Sequence, residues 1–69
     1  MNWEKVKYFA IEGHKIRRKG FTGSRYVYVE GGQFREKFIG ADFYSDYSPT
    51  VADEIACDWY VVEEKGEQK

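Results

Sequence analysis

The chain has 69 residues, of which 42% are hydrophobic and 33% charged, and its formal net charge is −1. A chain this short forms one small domain, and its single cysteine and single histidine exclude an internal disulfide and a structural zinc site. No apolar run approaches the roughly 20 residues that span a bilayer, and no signal-peptide pattern is present, so we expect a cytoplasmic domain without a membrane partner.

The first predicted element is an amphipathic helix over residues 3–12. Asn2 is a favourable N-cap, and Gly13 suits the position just after the helix. The apolar residues at helical spacing are Trp3, Val6, Phe9 and Ala10. A basic strand follows over residues 15–19, and the glycine-containing stretch 20–23 ends it with a turn.

The clearest strand covers residues 25–30, where aromatic residues and valine alternate. Gly31 and Gly32 then form a two-residue turn, so residues 25–39 are expected to form a β-hairpin. Residues 40–48 mix turn formers with aromatics and are interpreted as a loop with a short extended piece.

A short helix is expected over residues 50–56, with two N-cap positions left open. Either Ser48 caps a helix that starts at Pro49, or Thr50 and Asp53 form a capping box. A last strand over residues 58–63 completes an α+β domain of residues 1–64: a small antiparallel β-sheet with the N-terminal helix packed on it and a short helix before the last strand. Residues 65–69 are expected to be a flexible tail.

Charge is unevenly distributed between the two halves of the chain. Residues 1–37 carry a net charge of +5, whereas residues 38–69 carry −6. The halves either neutralise each other or leave a basic corner that binds an anion. The residues of that corner would be Lys15, Arg17, Arg18, Lys19 and Arg25.

Thirteen aromatic residues are more than so small a core can bury. Surplus aromatic surface marks an interface or a stacking site, so we expect a homo-oligomer. His14 is interpreted as a turn residue and Cys57 as a packing residue within the short helix. With no catalytic, cofactor or metal constellation in the sequence, we expect a binding protein rather than an enzyme.

Nucleic-acid binding is a rival hypothesis, because basic residues are interleaved with Phe21, Tyr26 and Tyr28. The acidic second half would repel a long polyanion, so the sequence favours a compact anionic ligand over a long nucleic acid.

The ordered motifs of the chain resemble a known family. These motifs are Asn2-Trp3, Gly13, Arg18 followed by Phe21, Gly23, residues 26–29, and the C-terminal set Asp53, Ile55, Ala56, Asp58 and Trp59. Together they span nearly the whole chain and resemble the second type of Thoeris anti-defence protein of phages. Phe21 stands where that family usually has tryptophan, Glu54 stands at a usually apolar position, and the segment before Pro49 is short.

The resemblance implies a homotetramer that sequesters a cyclic ADP-ribose-type signal, glycocyclic ADP-ribose in particular, without degrading it. Some members of the family also hold cyclic oligonucleotides at a separate site. A protein-binding inhibitor of a host enzyme and a single-stranded nucleic-acid-binding module stay open as alternatives.

The residue hypothesis for such a ligand has three parts. Phe21 and one of Tyr26, Tyr28 or Tyr47 stack on the base. Arg18, with Arg17 or Lys19, binds phosphate, and Asp53 or Thr50 accepts a ribose hydroxyl. Each has a structural alternative: Phe21 fills the core, Arg18 pairs with Asp58, and Asp53 caps the short helix.

Overall fold

The structure is a computed structural model that describes residues 1–62. It has the α+β fold predicted from the sequence. The elements in chain order are α1 (Trp3–Ile11), β1 (Ile16–Arg18), β2 (Arg25–Glu30), β3 (Gln33–Phe38), β4 (Ser45–Asp46), α2 (Val51–Ile55) and β5 (Trp59–Val61). The predicted element order is confirmed, with β4 as an added two-residue strand inside the predicted loop. The predicted tail over residues 65–69 lies outside the described residues.

The five strands form one sheet in the order β4-β3-β2-β1-β5, and every neighbouring pair is antiparallel. Strand β1 is shorter than predicted, but main-chain hydrogen bonds continue beyond it at both ends. Lys19 N donates to Asp58 O at 3.1 Å, and Val62 N donates to Lys15 O at 2.8 Å. These bonds place β5, which comes last in the chain, beside β1.

The core lies between helix α1 and one face of the sheet. Val6 from the helix, Ile16 from β1 and Val27 from β2 are fully buried there. Trp3 packs its ring 5.2 Å from the rings of both Phe34 and Trp59. Because a chain of this size buries limited apolar surface, these large aromatic contacts supply much of the packing that holds the helix on the sheet.

Two local signals in the sequence explain where the helices begin. The Asn2 side chain accepts a hydrogen bond of 3.0 Å from Lys5 N and so caps α1. At α2, Thr50 and Asp53 form the capping box, and of the two predicted N-caps the structure uses Thr50. Cys57 lies after the end of α2 and is exposed, so its predicted packing role is wrong. Neither helix in residues 1–62 is long and apolar enough to cross a membrane.

Alternation along the strands gives the sheet two chemically different faces. Ile16 and Val27 point toward α1, so Arg17 and Tyr26, one step away on the same strands, point to the opposite face. The two helices contact each other on the core side of the sheet. No helix or strand of residues 1–62 covers the opposite side. We call this uncovered side the open face.

Candidate functional site

Four of the residues predicted to bind ligand meet around the carboxylate of Asp53. Its Oδ1 accepts a hydrogen bond of 2.9 Å from Arg18 Nη1, and its Oδ2 accepts one of 2.8 Å from the Tyr47 hydroxyl. Thr50 N donates to Oδ2 at 3.2 Å, while Asp53 N donates to Thr50 Oγ1 at 3.1 Å. The Trp59 indole completes the arrangement by donating to Asp53 O at 2.9 Å.

Asp58 binds the other side of the Arg18 guanidinium. Arg18 Nε donates to Asp58 Oδ1 at 2.8 Å, and Gly20 N donates to Oδ2 at 3.2 Å. These hydrogen bonds raise the pKa of Arg18, with Asp58 the larger cause and Asp53 the second. The hydrogen bond from Arg18 is the main cause that lowers the pKa of Asp58.

Burial alone would raise the pKa of Asp53, but the hydrogen bonds from Tyr47 and Arg18 outweigh it and lower that pKa below its usual value. Burial, reinforced by the bond to Asp53, raises the pKa of Tyr47. Asp53 is therefore an ionised carboxylate and Tyr47 a protonated phenol at neutral pH. We refer to Arg18, Tyr47, Thr50, Asp53 and Asp58 as the Asp53 cluster.

Within the protomer, Phe21 and the side chains of the Asp53 cluster already contact other residues. Phe21 is only 8% exposed, and its ring meets that of Trp59 edge-on at 5.4 Å. The Arg25 guanidinium lies 4.1 Å from the centroid of the Phe21 ring. A ligand that used Arg18, Asp53 or Phe21 would have to replace these contacts. The contacts of Arg18, Asp53 and Phe21 within the protomer thus agree with the structural alternatives given for them above. Their roles in ligand binding stay predictions.

The predicted basic corner is divided between the two faces. Arg18 and Arg25 lie on the core side, where Arg25 forms an ion pair of 2.8 Å with Glu36. Arg17 and Lys15 lie on the open face with Tyr26 and Tyr28. Of the residues predicted to bind ligand, Arg17, Tyr26 and Tyr28 are therefore the ones that the fold brings together away from the Asp53 cluster.

Strand register arranges the open face as a regular pattern of aromatic and cationic side chains. Direct partners are Arg17 with Tyr60, Tyr26 with Lys37, and Tyr28 with Arg35. Ile16 pairs with Val27 and Glu36 with Ser45, so the next residues along set Arg17 beside Tyr26 and Lys37 beside Tyr44. One row across β5, β1, β2 and β3, continued by the residue just before β4, is therefore Tyr60, Arg17, Tyr26, Lys37 and Tyr44. We call it the cross-strand row.

A groove of about 420 Å³ opens on this face and extends to Gly13 and Val29. Its lining includes Lys15, Tyr26, Tyr28, Glu30 and Lys37. The two tyrosine rings lie 5.7 Å apart, and Lys15 Nζ lies 5.3 Å from the centroid of the Tyr26 ring. Burial, followed by the nearby Glu30 charge, raises the pKa of Tyr28. The groove is thus lined by two aromatic rings and two ammonium groups, with Tyr26 only 8% exposed at its floor.

Two arginines on the open face each have one side-chain donor that is unpaired among the described residues. Within residues 1–62, the Nε atoms of Arg17 and Arg35 are shielded from solvent and have no hydrogen-bond acceptor. The Arg35 guanidinium also lies 4.3 Å from the centroid of the Tyr44 ring. Buried donors without acceptors are rare in folded proteins, and an anionic ligand is one way to satisfy them.

Sequence reasoning missed Arg35, Lys37, Tyr44 and Tyr60 as candidate binding residues. A signal for two of them was present, because a two-residue turn at Gly31 and Gly32 fixes Arg35 and Lys37 opposite the two tyrosines of β2. Tyr44 and Tyr60 depend on β4 and β5, whose pairing the sequence pattern did not specify. In the part of the chain described, no group of three or more His, Cys, Asp and Glu residues could hold a metal ion.

Comparisons with known proteins give no independent assignment. No protein-family model matches the chain, and no significant match was found among curated proteins or solved structures. The resemblance to the Thoeris anti-defence family therefore stays a prediction from the sequence.

Proposed function

We propose that this protein binds a compact phosphorylated nucleotide intact and thereby sequesters it. The observation that carries the proposal is the groove of about 420 Å³, in which Tyr26 and Tyr28 lie near Lys15 and Lys37. That volume falls within the range of small-molecule sites. Aromatic rings are suited to stack on a base, and ammonium groups are suited to neutralise phosphate.

The ligand class comes from the resemblance. It favours a cyclic ADP-ribose-type messenger, with glycocyclic ADP-ribose as the first compound to test and cyclic oligonucleotides as the second. Sequestration of such a messenger in the host cytoplasm would keep a defence effector from being activated. The role requires tight binding without turnover, so the protein need not be an enzyme.

The location of the site differs from the one first expected. Arg18, Phe21 and Asp53 make internal contacts, whereas Arg17, Tyr26 and Tyr28 lie on the open face. We therefore assign the nucleotide to the open face and give the Asp53 cluster the task of holding α2 and β5 in place. Tyr47 and Thr50 belong to that supporting cluster.

Self-association into a homotetramer is part of the proposal. Large apolar side chains are exposed on the segment around β4 and on α2, among them Ile39, Phe43, Val51 and Ile55. Burial of such side chains between subunits would supplement the small core. Sedimentation velocity across a concentration series tests this: a monomer at all concentrations would remove assembly from the proposal.

A filtration assay tests the binding function. Purified protein is mixed with glycocyclic ADP-ribose and filtered, and free nucleotide is quantified by chromatography before and after the protein is heat-denatured. Depletion followed by recovery of intact ligand supports sequestration, whereas recovery of a changed product would mean an enzyme. No depletion of this nucleotide or of cyclic oligonucleotides would reject the proposal and favour a protein partner.

Matched variants locate the site. Tyr28→Leu and Lys37→Gln change the groove, whereas Tyr8→Leu and Lys5→Gln make the same changes at exposed positions of α1. The first pair is expected to weaken depletion about tenfold each, and the second pair to leave it within twofold. Equal effects of the two pairs would place the nucleotide elsewhere.

A further inference from the structure

The cross-strand row extends beyond the groove on both sides. Neighbouring strands lie about 4.8 Å apart, so a row across five strands is about 19 Å long. Tyr26 and Lys37, in the inner part of the row, line the groove. Tyr60 and Tyr44, at the two ends of the row, do not line it. One compact nucleotide would therefore leave both ends of the row without a ligand.

Aromatic and cationic residues alternate along the row, as Tyr60, Arg17, Tyr26, Lys37 and Tyr44. Single-stranded nucleic acids are bound by this combination, because unstacked bases lie on aromatic rings while cations neutralise the phosphates between them. The shielded and unpartnered Nε atoms of Arg17 and Arg35 lie on the same face. A rotation of either guanidinium would turn its donors toward the phosphate oxygens of such a strand.

Two carboxylates of the second half face away from the open face. Asp53 and Asp58 bond to Arg18 on the core side. Glu36, which belongs to the first half, also lies on the core side and pairs with Arg25. On the open face, the acidic residues of the described strands are Glu30 and Asp46. They are outnumbered there by Lys15, Arg17, Arg35 and Lys37.

We propose that the open face binds a short single-stranded oligonucleotide laid across the strands. Tyr60 and Tyr44, which are 36% and 50% exposed, stack on bases at the two ends of the row. Tyr26 is only 8% exposed and forms the floor between them, where Arg17 and Lys37 contact the phosphates. This proposal does not depend on the sequestration of a cyclic nucleotide, since it uses both ends of the row as well as the groove. Base stacking is largely independent of sequence, so the strand is recognised with little base preference.

Fluorescence anisotropy with 5′-labelled oligothymidylates of two to twelve nucleotides tests the proposal. Affinity is expected to rise with length to about four to six nucleotides and then level off. If two to three phosphates are neutralised, log K falls with log salt concentration at a slope of about −1.4 to −2.1. A duplex of the same length is expected to bind at least tenfold more weakly, because its bases are already stacked.

Substitutions at the ends of the row separate this proposal from the preceding one. Tyr60→Leu and Tyr44→Leu are each expected to weaken oligonucleotide binding about tenfold. Tyr60→Phe keeps the ring and is expected to bind with the affinity of the unmodified protein. Neither leucine variant is expected to change glycocyclic ADP-ribose depletion. Tyr8→Leu is the matched control, since Tyr8 is 58% exposed on α1 and has Lys7 Nζ 5.5 Å from its ring centroid.

Three results would overturn the proposal. The first is an affinity that does not increase with length from two to twelve nucleotides. The second is equal binding by Tyr60→Leu, Tyr44→Leu and Tyr8→Leu, each with an unchanged melting temperature. The third is a change in sedimentation coefficient caused by Tyr60→Leu or Tyr44→Leu without ligand, which would mean that a second copy of the chain covers the open face.

Discussion

The Tyr47 hydroxyl donates a 2.8 Å hydrogen bond to Oδ2 of Asp53, and this bond joins the segment after β4 to helix α2. Burial and that bond raise the pKa of Tyr47, so the phenol stays protonated and remains a donor across the neutral range. Because Asp53 also binds Arg18 of β1, one carboxylate connects three separate parts of the chain.

Tyr47→Phe removes this donor and keeps the ring, whose centroid lies 6.1 Å from that of Trp3. The free energy of unfolding is expected to fall by about 1.5 kcal/mol, because a buried charged acceptor loses one hydrogen bond. Urea denaturation followed by tryptophan fluorescence measures the change. Tyr44→Phe is the control, since Tyr44 is exposed, and equal effects of the two variants would contradict this role of Tyr47.

Acid sensitivity follows from the lowered pKa values of Asp53 and Asp58, whose ordinary value is 3.8. A carboxyl with a lower pKa in the folded state contributes stability above its unfolded-state pKa. It loses that stability as the pH falls through the folded value. The urea midpoint is therefore expected to fall progressively as the pH drops below about 4.

Asp53→Asn is expected to lower the urea midpoint at pH 7 and to make its decrease in acid shallower. Asp42→Asn serves as the control, because Asp42 is exposed. If Asp53→Asn kept the full acid dependence of the unmodified protein, the Asp53 cluster would not be its source.

Phe21 distinguishes a core role from a ligand role. It is 8% exposed against Trp59 and Arg25, so Phe21→Ala is expected to cost about 3 kcal/mol of stability. Phe43→Ala, at a residue 70% exposed, is expected to change stability by at most about 0.5 kcal/mol. Thermal melts compare the two variants.

Phe21→Leu keeps the site apolar and is expected to leave nucleotide depletion unchanged wherever the variant is folded. Loss of depletion with an unchanged melting temperature would instead return Phe21 to the ligand site.

The hairpin turn provides a prediction about backbone conformation. Gly31 and Gly32 have φ values of 63° and 79°, a region that asparagine tolerates and β-branched residues avoid. Gly31→Asn is expected to be nearly neutral, and Gly31→Val to cost about 1.5 kcal/mol. No neighbouring atom lies within 4 Å of a Cβ added at either glycine, so the difference between the two variants reports backbone strain. Equal melting temperatures would contradict it.

Local sequence signals predicted much of this fold for identifiable physical reasons. Asn2 and Thr50 satisfy main-chain N–H groups near them in sequence, and the paired glycines fix the register of the β2–β3 hairpin. The same signals did not place the binding surface. Arg17 and Arg18 are adjacent in sequence, yet one lies on the open face and the other in the Asp53 cluster.

The sequence by itself determined the helices, the hairpin and the alternation along each strand, because these depend on residues close together in the chain. Only the tertiary structure decided which strand face α1 covers and that β5 pairs with β1, more than 40 residues away. Those choices depend on burying Trp3, Ile16 and Trp59 in one core. They pair both Asp53 and Asp58 with Arg18, and they bring Tyr60 beside Arg17 to complete the open face.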